Sequence, residues 1–214
     1  MAIDVEMLTV GAIAENCFLV RAEGSEKLVV VDPGDEAERI LAKVAEIGGE
    51  VEAILLTHTH FDHVGAVAAL ARETGAPVYC PEIEVPVLAD INSYLLPGFG
   101  PLEDYQADRT VSGGETLALG GLELDVIFTP GHSPGHVTYS VRGEDAIFSG
   151  DVLFQGSVGR TDLPGSDHQT LMDSIARLLD TLPDETGVLP GHMDPTTLGT
   201  ERASNPFLRE LAHR

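Results

Sequence analysis

The chain has 214 residues, 43% of them hydrophobic, which is enough for a packed core, and only two cysteines. Its formal net charge of −23, from 12 basic and 35 acidic residues, excludes a general surface for nucleic acid or for an anionic membrane. It lacks a run of about eighteen apolar residues, and "MAIDVEMLTV" has acidic residues where a secretory leader carries a basic start. A soluble, cytoplasmic protein forming one domain over residues 1–214 is expected. Cys17 and Cys80 each sit in an apolar run ("NCFLV", "PVYC"), which reads as two buried reduced thiols.

Taken in chain order, "IDVEMLTV" alternates as a strand, and "NCFLVRA" and "KLVVVD" flank the turn "EGSE" as a hairpin. "DEAERILAKVAEIG" has helical spacing and ends at Gly48-Gly49. Next come the continuous apolar strand "VEAILLTH", a loop dense in His and Asp, the Ala-rich helix "VGAVAALARETG" closed by Gly75, and the strand "PVYC". Residues 81–108, interrupted by prolines at 81, 86, 97 and 101, read as a short helix and a long loop. Strand character returns at Arg109. "GGETLALGGLELDVIFTPG" gives two strands around a Gly-Gly turn, followed by "HVTYSV", the turn "RGED" and "AIFSGD". A helix over "DHQTLMDSIARLLDTL", with Leu171, Ile175, Leu178 and Leu179 on its apolar face, precedes the strand "TGVLPGH". Each half thus reads as strands followed by helix and strand, an α/β pattern suited to two sheets packed face to face with helices outside.

"LLTHTHFDHVG" places His58, His60, Asp62 and His63 within six positions after a buried strand. Alone, such a cluster is equally well a solvated loop. Further along, His132 follows "LDVIFTPG", Asp151 follows "AIFSG" and His192 follows "TGVLPG", each beside a glycine where a strand is expected to give way to a loop. Loops at strand ends are where a rigid scaffold aims polar groups into one cleft. If the chain stays extended from His58 to Asp62, alternate side chains share a side, so His58 and His60 can grip one ion. A turn between Asp62 and His63 would aim that pair at a second point. Imidazole with carboxylate and no thiolate suits zinc, iron or manganese.

Other residues carry two readings each. Asp32, in "VVVDPGD", ends a buried strand and is a candidate for orienting a metal-bound histidine. Arg160, in "GSVGRTD", either anchors a substrate carboxylate or pairs with Asp162. His136 either supports His132 or packs at a strand start. Gly131-His132-Ser133-Pro134-Gly135 matches the G-x-S-x-G pattern of serine hydrolases, but the oxyanion hole there needs the N–H that Pro134 lacks.

"THTHFDH", "TPGHSPGH", "FSGDVLF" and "PGH" resemble the metallo-β-lactamase-fold hydrolases, over nearly the whole chain. "GDVLFQGSVGRTDLPGSD" and "PTTLGTERASNPFL" resemble the single-domain, glyoxalase II-like thioester hydrolases within them. The resemblance implies a four-layer αββα sandwich of two mixed sheets with helices outside. It implies His58, His60 and His132 as ligands of one divalent ion and Asp62, His63 and His192 as ligands of another. Asp151 would bridge the two, with Asp62 and Asp151 as the catalytic carboxylates. Zinc is the first expectation for both ions, with iron or manganese as alternatives. In that family a hydroxide held between the ions attacks the carbonyl carbon of a small-molecule thioester, and a thiolate leaves without needing a strong general acid. Two divalent ions less two carboxylates and one hydroxide leave a net charge of about +1, so an acidic protein can still attract an anionic ester.

The same fold offers two other readings. Sulfur dioxygenases bind one iron through the equivalents of His58, His132 and Asp151, and "GRTD" and "NPFL" resemble that branch as well. A metal-binding module without turnover is the other. Only 22 residues follow His192, fewer than the helical region with which full-length glyoxalase II holds glutathione, so the thiol is open to being another of low molecular weight. No motif encodes an oligomeric state.

Overall fold

Alternation along the central strands decides the architecture. In β2 (Glu15–Ala22), Phe18 and Val20 point one way and Leu19 the other, and in β3 (Lys27–Val31), Val29 and Val31 oppose Val30, yet all are buried. A sheet buried on both faces must be covered twice. The computed structural model describes residues 2–213, except for the side chains of 210, 212 and 213. Its first sheet runs in the order β1 (Ile3–Val10), β2, β3, β4 (Glu50–Leu55), β5 (Val78–Pro81), β6 (Arg109–Val111), antiparallel as far as β3 and parallel beyond.

The second sheet contains β7 (Thr116–Leu119), β8 (Leu122–Phe128), β9 (Val137–Val141), β10 (Ala146–Gly150), β13 (Gly187–Pro190) and β14 (Thr196–Thr197). Only its β10–β13 pair is parallel, so both sheets are mixed. A hairpin of β11 (Leu153–Phe154) and β12 (Ser157–Val158) stands apart. The helices are α1 (Ala37–Ile47), α2 (Phe61–Val64), α3 (Val67–Thr74), α4 (Val85–Leu88), α5 (His168–Thr181) and α6 (Leu198–Ser204).

Three apolar clusters make the layers. Phe18, Val20, Val29, Val31 and Leu55 of the first sheet meet Leu124, Val126, Val137, Tyr139 and Phe148 of the second. Behind the first sheet, Leu19, Val30 and Ile54 pack on Ile40 and Val44 of α1 and on Val67 and Leu70 of α3. Behind the second, Ile147 and Val188 pack on Leu171, Ile175 and Leu178 of α5, whose N-cap carboxylate, Asp167, accepts from Thr170 N–H at 2.8 Å. The result is the expected four-layer αββα sandwich. The short β11–β12 hairpin, β14 and α6 have no periodic signature in the sequence, being too brief for alternation to register. No helix among the described residues is long and apolar enough to cross a membrane.

The Phe18 and Phe148 rings, 5.3 Å apart, join the two sheets across their shared core. Phe18→Ala is expected to lower unfolding free energy by about 3–5 kcal/mol, seen as a reduced urea midpoint with little change in slope.

Candidate metal centre

β4 ends at Leu55, three residues before the apolar run suggests, because the backbone there changes partners. Thr57 N–H donates to Asp32 Oδ1 at 2.7 Å instead of continuing the sheet, and Val137 N–H of the opposite sheet donates to Thr57 O at 2.9 Å. The extended path then stops at His60. His63 N–H closes a turn on His60 O at 2.9 Å, so Asp62 and His63 both lie in α2. The turn expected between Asp62 and His63 therefore falls before both, and the extended run does not reach Asp62. His132 also differs from expectation: it stands four residues beyond the end of β8, held by the loop and not by a strand end. Asp151 directly follows β10, and His192 lies two residues past β13.

These loops bring all seven residues together. His60 Nδ1 lies 3.1 Å from His58 Nε2 and 2.8 Å from His132 Nε2. Asp62 Oδ2 lies 3.1 Å from His192 Nε2 and 3.7 Å from His63 Nε2. Asp151 stands between the groups, with Oδ1 at 3.3 Å from His63 Nε2 and Oδ2 at 3.4 Å from His132 Nε2. Gly191 makes room: a Cβ there would come within 2.4 Å of Asp151 Oδ1 and 2.6 Å of His63 Cε1. The potential ligand atoms of His58, His60 and His132 lie within 4.8 Å of one another, as do those of Asp62, His63 and His192.

Outer partners fix which nitrogen of each ring faces inward. His63 Nδ1 meets Asp32 Oδ2 at 3.0 Å, and His132 Nδ1 meets the Arg160 carbonyl at 2.9 Å. His192 Nδ1 lies 3.3 Å from the Ala14 carbonyl. Carboxylate and carbonyl oxygens only accept, so Nδ1 donates in each case. Thr57 Oγ1 donates to Asp32 Oδ2 at 2.6 Å, which leaves it to accept from His58 Nδ1 at 3.0 Å. All four rings thus carry their outer hydrogen on Nδ1 and present Nε2 to the centre.

A cation fits this arrangement. A hydrogen on His60 Nδ1 could satisfy only one of the two nitrogens it faces, whereas an ion satisfies all three. Buried His63 Nε2 and Asp151 Oδ1 have no hydrogen-bond partner among the described residues, although each is costly to bury unmet. Burial, then the neighbouring imidazoles, push His58 well below the usual histidine range, and burial with His132 brings His60 down to about 4. The other half has the opposite bias. Burial disfavours charge on His63 and Asp151, but their mutual attraction prevails, holding the imidazole above and the carboxylate below their ordinary ranges. His58 and His60 are therefore biased towards neutrality, whereas the acids around His63 favour positive charge there.

Asp32 sits beneath His63 and Thr57, in contact with the orientation of both His63 and His58. Arg160 has its guanidinium bidentate on Asp162, at 2.7 Å twice and exposed, while its carbonyl serves His132. Its side chain is thus in the Asp162-paired state. His136 lies under the site: its Nε2 accepts from Asp151 N–H at 3.1 Å, and its ring stacks on His58 at 4.9 Å. Cys17 and Cys80 are buried free thiols.

Three residues at the site carried no signal that drew attention to them. Glu15 is 1% exposed, 3.7 Å from His63 Nδ1, with both carboxylate oxygens unpaired and its pKa raised by burial. In "ENCFLV" it stands two positions before the apolar run, too ordinary a place for an acid to draw notice. Thr57 and Glu84 drew none either, being an ordinary residue beside a conspicuous cluster and an acid in an irregular segment.

The metallo-beta-lactamase superfamily profile matches residues 10–192. The chain is 42% identical to a probable metallo-hydrolase, YqgX, of Bacillus subtilis, covering 94% of this chain and 95% of that protein. It is 36% identical to the hydroxyacylglutathione hydrolase GloC of Haemophilus influenzae, covering 96% and 98%. Among solved structures, the BLEG-1 B3 metallo-beta-lactamase superposes with a TM-score of 0.90 at 39% identity, over 96% of this chain and 100% of that one. TTHA1623 in a di-iron-bound form gives 0.79 at 43%, over 95% and 100%. ETHE1 from Myxococcus xanthus gives 0.75 at 29%, over 95% and 83%.

Asp32→Ala would free His63 and Thr57 at once. Metal affinity measured against a competing chelator is expected to fall about 10–100-fold. Wild-type affinity would show that these bonds do not orient the ligands.

Proposed function

The chain belongs to the metallo-beta-lactamase superfamily, and from that premise we propose that it is a metal-dependent hydrolase of small-molecule thioesters, acting in the cytoplasm. The observation that carries this reading is the convergence of two donor sets, three imidazoles on one side and Asp62, His63 and His192 on the other, with Asp151 facing both. In this reading His58, His60 and His132 hold one divalent ion, the second set holds another, and Asp151 joins them. When bound, the ions supply an acidified water and polarise the substrate carbonyl. Zinc remains the first expectation for both. The similarity to GloC points to the thioester class.

The protein's own groups do the positioning. Asp32 and the Arg160 carbonyl hold His63 and His132 by their outer nitrogens, so both present Nε2 inward. Asp62 and Asp151 are the carboxylates at the reacting centre, 11% and 9% exposed at their side chains, and they orient the attacking water. Both act as acceptors: burial opposes their charge, but the histidines around them hold both pKa values below the usual carboxylate range. Thiolate departure needs no strong acid. The exposed ion pair with Asp162 largely spends the charge of Arg160, so an anionic ester would be drawn mainly by the metal-bearing cleft.

A second reading, a one-iron persulfide dioxygenase, is favoured by one observation: His132 and Asp151 also approach within 3.4 Å, beside His58. It leaves the complete Asp62–His63–His192 set unused. Metal analysis paired with assays on lactoyl-glutathione, glutathione persulfide and a β-lactam separates the readings. Two ions per chain with thiol release are expected. One iron with oxygen uptake selects the dioxygenase, β-lactam opening alone selects a lactamase, and metal without turnover selects a binding module.

Asp151→Ala and His58→Ala are each expected to lower kcat/KM for the thioester by about a thousandfold or more while leaving a folded domain by circular dichroism. Turnover near wild type in either variant would overturn the assignment.

A further inference from the structure

Glu84 is a carboxylate with an unusual set of obligations. It is 4% exposed and sits just after β5, in the 3-10 turn Glu82–Glu84. Its Oε2 accepts from Thr59 Oγ1 at 2.7 Å. Its Oε1 accepts from Ser133 Oγ and from Gly135 N–H, both at 2.7 Å. Thr59 lies between His58 and His60, and Ser133 directly follows His132. One buried carboxylate thus ties the loop leaving the first sheet to the loop leaving the second, beside the three imidazoles that come from those loops.

The surroundings are shaped for this contact. Thr59 is 1% exposed and Ser133 3% exposed, so neither hydroxyl has water as an easy alternative. A Cβ at residue 135 would fall 2.6 Å from Glu84 Cγ and 2.9 Å from Oε1, so only glycine lets the chain come this close. Hydrogen bonds to a carboxylate are shorter and about twice as strong as those between neutral groups, and here three converge. The Asp62–His63–His192 half has no bond to Glu84 among those described.

We propose that Glu84 is a positioning residue for the three-imidazole half, setting the spacing of His58 and His60 from His132 by bracing their two loops together. The proposal rests on the reading that these imidazoles hold a metal ion. Glu84 touches none of the reacting atoms. Its effect passes through Thr59, Ser133 and Gly135 to ring positions, so it acts on one ion and not on the other. It also gives Ser133 a structural role, its hydroxyl hydrogen being donated to Glu84 Oε1.

The test uses the zinc-loaded, full-length protein equilibrated against a graded competing chelator, with zinc retained per chain as the readout. His132→Ala and His192→Ala assign the two release steps. Glu84→Ala is expected to weaken retention in the step lost by His132→Ala about 10–100-fold, and to leave the step lost by His192→Ala within about twofold. Glu84→Gln, whose amide oxygen can still accept from Ser133 and Gly135, is expected to recover most of the loss. Where Glu84→Ala does not fold, Thr59→Val and Ser133→Ala each cut one leg, and each is expected to weaken the same step severalfold. Unchanged retention, or equal weakening of both steps, overturns the brace. Zinc release that is the same in His132→Ala as in the wild type overturns the metal reading itself, and with it the brace.

Discussion

Nitrogens directed at one another in a buried space are the constraint on which the rest of this structure depends. His58, His60 and His132 bring three ring nitrogens to within 2.8–3.1 Å along the contacts of His60, with His58 wholly buried. Four of the rings around the centre, those of His58, His63, His132 and His192, are turned from outside it. The outer partners are Thr57 with Asp32, the Arg160 carbonyl and the Ala14 carbonyl, drawn from three separate regions of the chain. The inward aim of these four rings is therefore a consequence of outer hydrogen bonds, of which the bond from His192 to the Ala14 carbonyl joins loops of the two sheets.

That dependence explains why so much of the chain is apolar core. A buried polar atom without a partner costs about 1–3 kcal/mol, and a domain of this kind has only about 5–15 kcal/mol of net stability. His63 Nε2, Asp151 Oδ1 and both oxygens of Glu15 are all of this type among the described residues. The sandwich offsets them with a continuous apolar contact from Phe18 and Leu55 to Tyr139 and Phe148. Tyr139 serves both purposes: its ring lies in that core, and its hydroxyl donates to Leu56 O at 2.8 Å, where β4 has just released the chain towards His58.

The fold and the convergence of inward-facing histidines and aspartates were legible because both leave residue-type signatures. Alternation in "NCFLVRA" and "KLVVVD" marks two-sided burial, and a histidine or aspartate beside glycine after an apolar run marks a strand feeding a cleft. Outer partners leave weaker traces. The Arg160 and Ala14 carbonyls are backbone atoms that every residue possesses, so no residue type could point to them. Asp32 was legible because it closes a buried strand, whereas Glu84 sits in a segment with no period to interrupt. The turn at Phe61 was missed for a related reason: a four-residue helix completes barely one turn, too little for helical spacing to appear.

Charge is distributed in the site with the same economy. The protein carries a formal −23, and four of its acids converge on one buried histidine. Glu15, Asp32, Asp62 and Asp151 surround His63, while His58 and His60 are biased towards neutrality by burial and by one another. The two halves consequently make different demands on a cation. Three imidazoles select by nitrogen affinity and favour borderline metals, whereas a carboxylate-rich half attracts by charge and accepts harder ions. If each half held a cation, such a centre would bind the two with unequal strength. Since Asp151 faces both halves, a cation in the acidic one would withdraw negative charge from the other, so the occupancy of each half would alter the pull of its neighbour.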